Sequence, residues 1–275
     1  MTRAALQETV FAANRAIGRV SLSVGRHDGR SRLGALREEG SLRVRFPNAM
    51  PDALEAVLVN TAGGIAGGDR FDIDLTLGEG TQLVAGTAAA EKIYRTHGPD
   101  AALSVRFDLG AGSRLAWLPQ ETILFNAARL ARRIDIDLAG GASLVLAEAV
   151  VFGRAAMGET MVRGLLTDRW RLRRDGRLIF AETLRLNGGI AEQLTEAAIG
   201  GGAAAIATVV ISPADDAQVE ALRALTENFL GEVGISAWNG LALVRLCAKD
   251  GAALRHDLIM ILAALKIALP RLWLN

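Results

Sequence analysis

Leu77-Gly78-Glu79-Gly80-Thr81-Gln82-Leu83 recurs as Leu109-Gly110-Ala111-Gly112-Ser113-Arg114-Leu115, and again as Leu138-Ala139-Gly140-Gly141-Ala142-Ser143-Leu144. Gly80, Gly112 and Gly141 fall 32 and 29 residues apart. Each copy reads as strand, Gly turn, strand, and Leu172 to Leu178 around Gly176 reads as a looser fourth copy. A period in this range marks stacked supersecondary units, because such a unit cannot bury its apolar face alone. Two strands about a turn make the stack β rather than α. Coils of sheet around a shared core and a layered β-sandwich both satisfy the pattern.

The flanking sequence continues the theme. Phe71, Ile73, Leu75 and Leu77 alternate with Asp72, Asp74 and Thr76, which places the apolar set on one face of a strand. Residues 18–24 and 42–46 alternate likewise, with Pro47 ending the second, and Ala56 to Asn60 is an apolar run suited to a strand buried on both faces. Toward the C-terminus the period changes. Ser212 as N-cap, Pro213 at the first helical position and the acid Asp215 predict a helix start, followed by Val219, Leu222, Leu225 and Phe229 at helical spacing and a stop at Gly231. Asn239-Gly240 predicts a hairpin turn into a strand over 241–246. A second helix is predicted over 252–269, ended by Pro270. Its Leu258, Ile259, Ile261, Leu262, Leu265 and Leu269 exceed one helical face, so part of this set is expected against a partner. The fold class is mainly β, a β-helix-like stack of strands with two helices near the C-terminus. It is read as a single domain over 1–275, β-rich over 15–211 and helix-containing over 212–275.

Composition bounds the function. The chain has 275 residues, 51 % of them hydrophobic and 22 % charged, a globular profile. The 31 basic and 30 acidic residues leave a net charge of +1, so no long-range field favours nucleic acid. The single cysteine, Cys247, makes no intrachain disulfide, which fits a cytoplasmic setting. No apolar core follows Arg3 as in a secretory signal, and the most apolar stretch, Leu258 to Leu269, is short for a bilayer and carries Lys266. No membrane association is expected.

Gly63 to Gly68 does not read as a phosphate loop, because it ends in Asp69-Arg70 and enters a strand, where a P-loop needs Gly-Lys-Ser/Thr opening a helix. His27, His97, His256 and Cys247 show no ligand spacing, so a tight transition-metal site is not expected. No Gly-x-Ser-x-Gly elbow is present. The carboxylates Asp69, Asp72, Asp74, Glu121, Glu148 and Glu182 lie in or beside predicted strands. Glu121 and Glu148 follow repeat turns and are candidates for a shared interior. Oxygen ligands hold transition ions more weakly than thiolate or imidazole, which suits passage rather than storage. An acid–base carboxylate pair remains a second possibility.

Four stretches carry a family resemblance: Val57 to Asp69, Thr87 to Arg95, Leu115 to Phe125, and Val151-Phe152-Gly153-Arg154 running on through Met157-Gly158-Glu159 to Trp170-Arg171-Leu172. In order and spacing they resemble the urease accessory protein D family (UreD/UreH). Gly86-Thr87-Ala88 departs from the Thr-Thr-Gln expected there. The resemblance implies a β-helix-like fold and no enzymatic activity. It implies a scaffold that works with a helical accessory protein, a GTP-hydrolysing accessory protein and apo-urease, and helps nickel reach the urease active site. No cofactor is expected to bind tightly, and transient Ni2+ would pass an internal channel. Candidates for lining it are Asp69, Asp72, Glu121 and Glu148. The alternative is a β-helical carbohydrate-active enzyme using paired carboxylates.

Overall fold

The computed structural model describes residues 14–47 and 52–274. In chain order the strands are β1 (Ile17–His27), β2 (Arg30–Gly40), β3 (Leu42–Arg45), β4 (Leu54–Asn60), β5 (Arg70–Leu77), β6 (Gln82–Thr87), β7 (Glu91–Ile93), β8 (Ala101–Leu109), β9 (Arg114–Trp117), β10 (Thr122–Leu124), β11 (Arg129–Leu138), β12 (Ser143–Arg154), β13 (Glu159–Thr160), β14 (Arg163–Arg174), β15 (Arg177–Gly189), β16 (Ala205–Ser212), β17 (Glu232–Trp238) and β18 (Leu241–Ala248). Three α-helices join them: α1 (Ile190–Thr195), α2 (Asp216–Arg223) and α3 (Gly251–Ala264).

The repeat builds the stack. β5, β8, β11 and β14 pair in parallel in one sheet, while β6, β9 and β12 pair in parallel in the other. Register is kept from coil to coil: Leu77 lies beside Leu109 and Leu109 beside Leu138, while Leu83 lies beside Leu115 and Leu115 beside Leu144. The turns stack too. Gly80 donates its N–H to the Ala111 carbonyl at 2.9 Å, and Gly112 donates to Gly140 at 3.1 Å. Gly80, Gly112 and Gly141 have φ of 65°, 63° and 71°, the left-handed region that a side chain disfavours. The fourth copy behaves differently. Arg174 pairs with Arg177 across an antiparallel hairpin, so the chain returns within the same sheet instead of crossing to the other. Asp175 and Gly176, at φ 49° and 77°, give the turn that closes the coil series.

The first sheet runs β15-β14-β11-β8-β5-β1-β2, and the second runs β17-β18-β16-β12-β9-β6-β4-β3 with β7, β10 and β13 branching from it. Between them lies a core that includes Phe71, Leu75, Phe107, Leu109, Leu130, Ile134, Leu144 and Leu146, each worth roughly 1.5–3 kcal/mol of transfer free energy when fully buried. The second sheet is buried on both faces. Ala147, Ala149, Ala207, Val209, Ala242 and Val244 pack against Val219 and Leu222 of α2 and Leu254, Leu258, Ile261 and Leu262 of α3. The molecule is therefore sheet, sheet and helical layer. α1 instead adds Ile190 and Leu194 to the inter-sheet core.

The C-terminal expectations hold in outline and shift in detail. Ser212 ends β16; the N-cap of α2 is Asp215, which accepts from the Gln218 N–H while the Gln218 side chain accepts from the Asp215 N–H, a reciprocal capping box. The helix stops at Arg223, well before Gly231, and Leu225 and Phe229 follow it. Asn239-Gly240 does turn β17 into β18. α3 ends at Ala264, short of the expected Leu269. Leu258, Ile261 and Leu262 are buried and Ile259, Leu265 and Leu269 pack part-buried on the same core, so this chain itself covers the apolar excess. Among the described residues no helix is long and apolar enough to cross a membrane.

Candidate functional site

Period-two alternation puts Leu130, Arg132, Ile134, Ile136 and Leu138 of β11 on the inner face, so one inward position holds a guanidinium. On β14 the inward set is Leu166, Asp168, Trp170 and Leu172, and Asp168 is the register partner of Arg132. Glu148 enters from β12 in the opposite sheet. Arg132 donates through Nε to Asp168 Oδ1 at 3.0 Å and through Nη2 to Asp168 Oδ2 at 2.5 Å, a bidentate pair, while Nη1 donates to Glu148 Oε2. Two indoles complete the set: Trp117 donates to Glu148 Oε1 and Trp170 to Asp168 Oδ1, both at 2.7 Å. Burial disfavours the charge on Arg132, but Asp168 and Glu148 outweigh it and hold the guanidinium above its usual range. Burial pushes the Glu148 carboxyl up, against the pull of Arg132 and Trp117.

Arg132, Glu148 and Trp117 form the inner wall of a cavity of about 180 Å³, with Phe71, Ile73 and Val105 beside them. Asn60, Gly63, residues 87–91 and Gln120 line it as well, and exposed Gly63 and Ala89 mark their side as its mouth. A Cβ at Gly86 would lie 2.5 Å from the Leu118 carbonyl oxygen, so β6 packs too closely on the segment after β9 for a side chain there. A Cβ on Gly64, at φ 154°, would strike the Tyr94 ring at 2.4 Å. At the mouth Glu91 accepts from Asn60 Nδ2 at 3.1 and 3.2 Å. Burial pushes its carboxyl up to about 7, against the Asn60 hydrogen bond and Lys92.

The four candidate carboxylates do not converge. Glu148 alone among them lines the cavity. Asp69 is buried elsewhere, accepting from the N–H groups of Ala16 at 2.8 Å and Ala66 at 2.7 Å and so fixing the turn before β5. Asp72 faces outward and meets Arg19 at 3.3 Å. Glu121 turns to the helical layer, where Arg255 reaches it at 2.9 Å. Asp74 is exposed, and Glu182 pairs with Arg245 at 2.8 Å. Among the described residues no group of three or more His, Cys, Asp or Glu is placed to hold a metal ion. The carboxylates that do approach one another, Glu148 and Asp168, are both bound to Arg132 and buried, which is not the open groove a polymer-cleaving pair requires. Sequence reading missed Arg132, Asp168 and Glu91. The signal for the first two was present: a charge at the inward phase of two apolar alternations, one basic and one acidic.

Fold and site thus define a coiled two-sheet protein with a helical layer and a charge network sealed at the inner end of a cavity. A model of the family described as UreD urease accessory protein matches residues 16–274, and the chain belongs to that family. It is 58 % identical over 269 residues to "Urease accessory protein UreD" of Rhodopseudomonas palustris (strain BisA53), covering 98 % of this chain and 94 % of that protein. It is 55 % identical over 267 residues to the protein of the same name in Bradyrhizobium diazoefficiens, covering 97 % of each.

Proposed function

We propose that this protein serves urease maturation as a scaffold of an accessory complex that docks on apo-urease, and that nickel is handed toward the urease active site by way of its interior. Membership of the family of urease accessory proteins supports the role in maturation. The observation that carries the interior path is the cavity, with the carboxylate of Glu91 at its mouth and that of Glu148 on its inner wall. Nickel here is cargo. Carboxylate oxygens bind it more weakly than thiolate or imidazole would, so it is passed rather than kept. Between cargoes Arg132 satisfies Glu148, and Asn60 satisfies Glu91. The resemblance supplies the partners, a helical accessory protein and a GTP-hydrolysing one, and the single cysteine fits a cytoplasmic setting.

The test is genetic and direct. Deleting the gene should leave urease protein present, nickel-poor and inactive, and the wild-type chain should restore it. Tagged chain should co-purify with apo-urease and the accessory proteins. Normal urease nickel content in the deletion strain overturns the scaffold reading. Full restoration by Glu148→Gln removes Glu148 from the path while leaving the scaffold intact.

A further inference from the structure

The rim of the cavity is tied to the far end of the chain. Between β9 and β10, the Leu118 N–H donates to the Ala85 carbonyl at 2.7 Å and the Gln120 N–H to Thr87 Oγ1 at 2.9 Å, which places this segment against the mouth. Its other side is held from the C-terminal part. Arg255 of α3 donates through Nη1 to Gln120 Oε1 at 2.8 Å and to Glu121 Oε1 at 2.9 Å, and through Nη2 to the Leu272 carbonyl at 2.9 Å. Trp273, in a 3-10 turn over Arg271–Trp273, donates its indole N–H to the Leu118 carbonyl at 2.9 Å and lies 5.1 Å beneath the Arg255 guanidinium. Glu121 in turn accepts the Glu91 N–H through its carbonyl at 2.9 Å, so the tie reaches the mouth carboxylate itself.

The polar contacts of Arg255 are separate from what seats α3 on the sheet. Leu254, Leu258, Ile261 and Leu262 do that with apolar surface. Gln120 and Trp273 are 9 % and 2 % exposed, so each polar group here depends on a protein partner in place of water.

We propose that Arg255 and Trp273 are positioning residues that latch the cavity rim, so that the helical layer and the C-terminal turn set how far the cavity opens. The bearing of the latch on urease maturation rests on the interior-path reading above; the latch itself does not. A fork that holds Gln120, Glu121 and Leu272 together needs the planar guanidinium, and a lysine reaches at most part of the set.

Hydrogen exchange resolved to single amides tests it, with Arg255→Ala, Arg255→Lys and Trp273→Phe in the full chain. The expected result is exchange at Gln120 and Glu91 at least about tenfold faster in Arg255→Ala, equivalent to a loosening of ~1.4 kcal/mol, with the β5 and β8 amides unchanged. Arg255→Lys should fall between it and wild type. Trp273→Phe, which keeps an aromatic ring but drops the N–H together with the pyrrole ring, should loosen Leu118 and Gln120. Wild-type exchange at these amides in folded variants overturns the latch, as does uniform acceleration across both sheets. Should Arg255→Ala not accumulate, the two milder variants decide by the same readout. Loosened exchange with normal nickel loading of urease upholds the latch and instead removes the cavity from the maturation reading.

Discussion

Arg132→Met is the perturbation that most directly probes the interior. The side chain is 2 % exposed and is the shared partner of Glu148 and Asp168, themselves 6 % and 8 % exposed. Removing one member of a buried ion pair costs about 3–5 kcal/mol, because the charge left behind stays desolvated. Here two carboxylates lose their partner at once, so the upper end, about 5 kcal/mol, is the expected loss at pH 7.5. For a chain of this size each kcal/mol moves the melting temperature by about 2–4 °C, which gives a drop of about 10–20 °C. The loss should shrink in acid. Burial already pushes the Glu148 carboxyl up, and losing Arg132 removes a pull that opposes this, so the folded variant binds more protons than the unfolded chain and its stability falls as pH rises. Between pH 5 and pH 7.5 the variant should lose more stability than the wild type does. Adding Glu148→Gln and Asp168→Asn removes both charges while leaving amide oxygens for the Trp117 and Trp170 indoles, and should recover most of the deficit. Thermal melts followed by circular dichroism at the two pH values measure all of this. A drop under about 2 °C for Arg132→Met, or a triple variant no better than the single, refutes the argument that Arg132 neutralises the interior.

Other expectations follow from individual contacts. The raised carboxyl of Glu91 costs stability progressively as pH rises from the unfolded value of 4.5 toward about 7, so Glu91→Gln should flatten the pH dependence of the melting temperature across that window and stabilise the protein at pH 8; an unchanged slope refutes the assignment. Gly86→Ala should cost about 1–3 kcal/mol, because its Cβ meets a backbone oxygen at 2.5 Å that cannot swing aside, and a denaturant midpoint equal to wild type would show the strands part more easily than packing implies. Asp69→Ala should lose about 3 kcal/mol or more through two charge-assisted bonds to Ala16 and Ala66, whereas Asp72→Asn, which touches an exposed ion pair, should change stability by less than about 1 kcal/mol in the same urea titration.

That contrast between Asp69 and Asp72 also shows what the sequence could and could not convey. Period and turn chemistry are local, so the glycine repeat and the alternation through Phe71, Ile73, Leu75 and Leu77 led directly to the coils, and Asn239-Gly240 led to its hairpin. The fourth glycine copy misled because a Gly turn does not say whether the next strand crosses to the other sheet or folds back in its own, a choice made by tertiary pairing of β14 with β15. The carboxylates were legible as residues but not as a site. Glu121 and Glu148 each follow a repeat turn, yet Glu148 lies within a strand facing inward, while Glu121 lies in the link between strands, where Arg255 draws it outward from 134 residues away. Arg132 and Asp168 are 36 residues apart and adjacent only because β11 and β14 pair in register. Glu91 owes its shifted carboxyl to burial beside Asn60, which no linear pattern records.

The chemistry of the network bears on how an interior could pass an ion without keeping it. His27, His97 and His256 are exposed and Cys247 stands apart, so neither imidazole nor thiol lines the cavity, and its carboxylates Glu91 and Glu148 offer oxygen. An empty buried carboxylate pair would either take up protons or grip the first divalent ion it met. Arg132 opposes both outcomes by holding Glu148 and Asp168. On the proposed function, a divalent ion that reaches Glu148 must compete with that guanidinium, and the attraction it gains is offset by the pairing it breaks. Its net affinity is the difference of two large terms and is therefore small, and the guanidinium stands ready to reclaim the carboxylate once the ion moves on. Deleting the competing cation should then turn a passage into a trap, because the difference would revert to the full attraction of a desolvated carboxylate for a divalent charge.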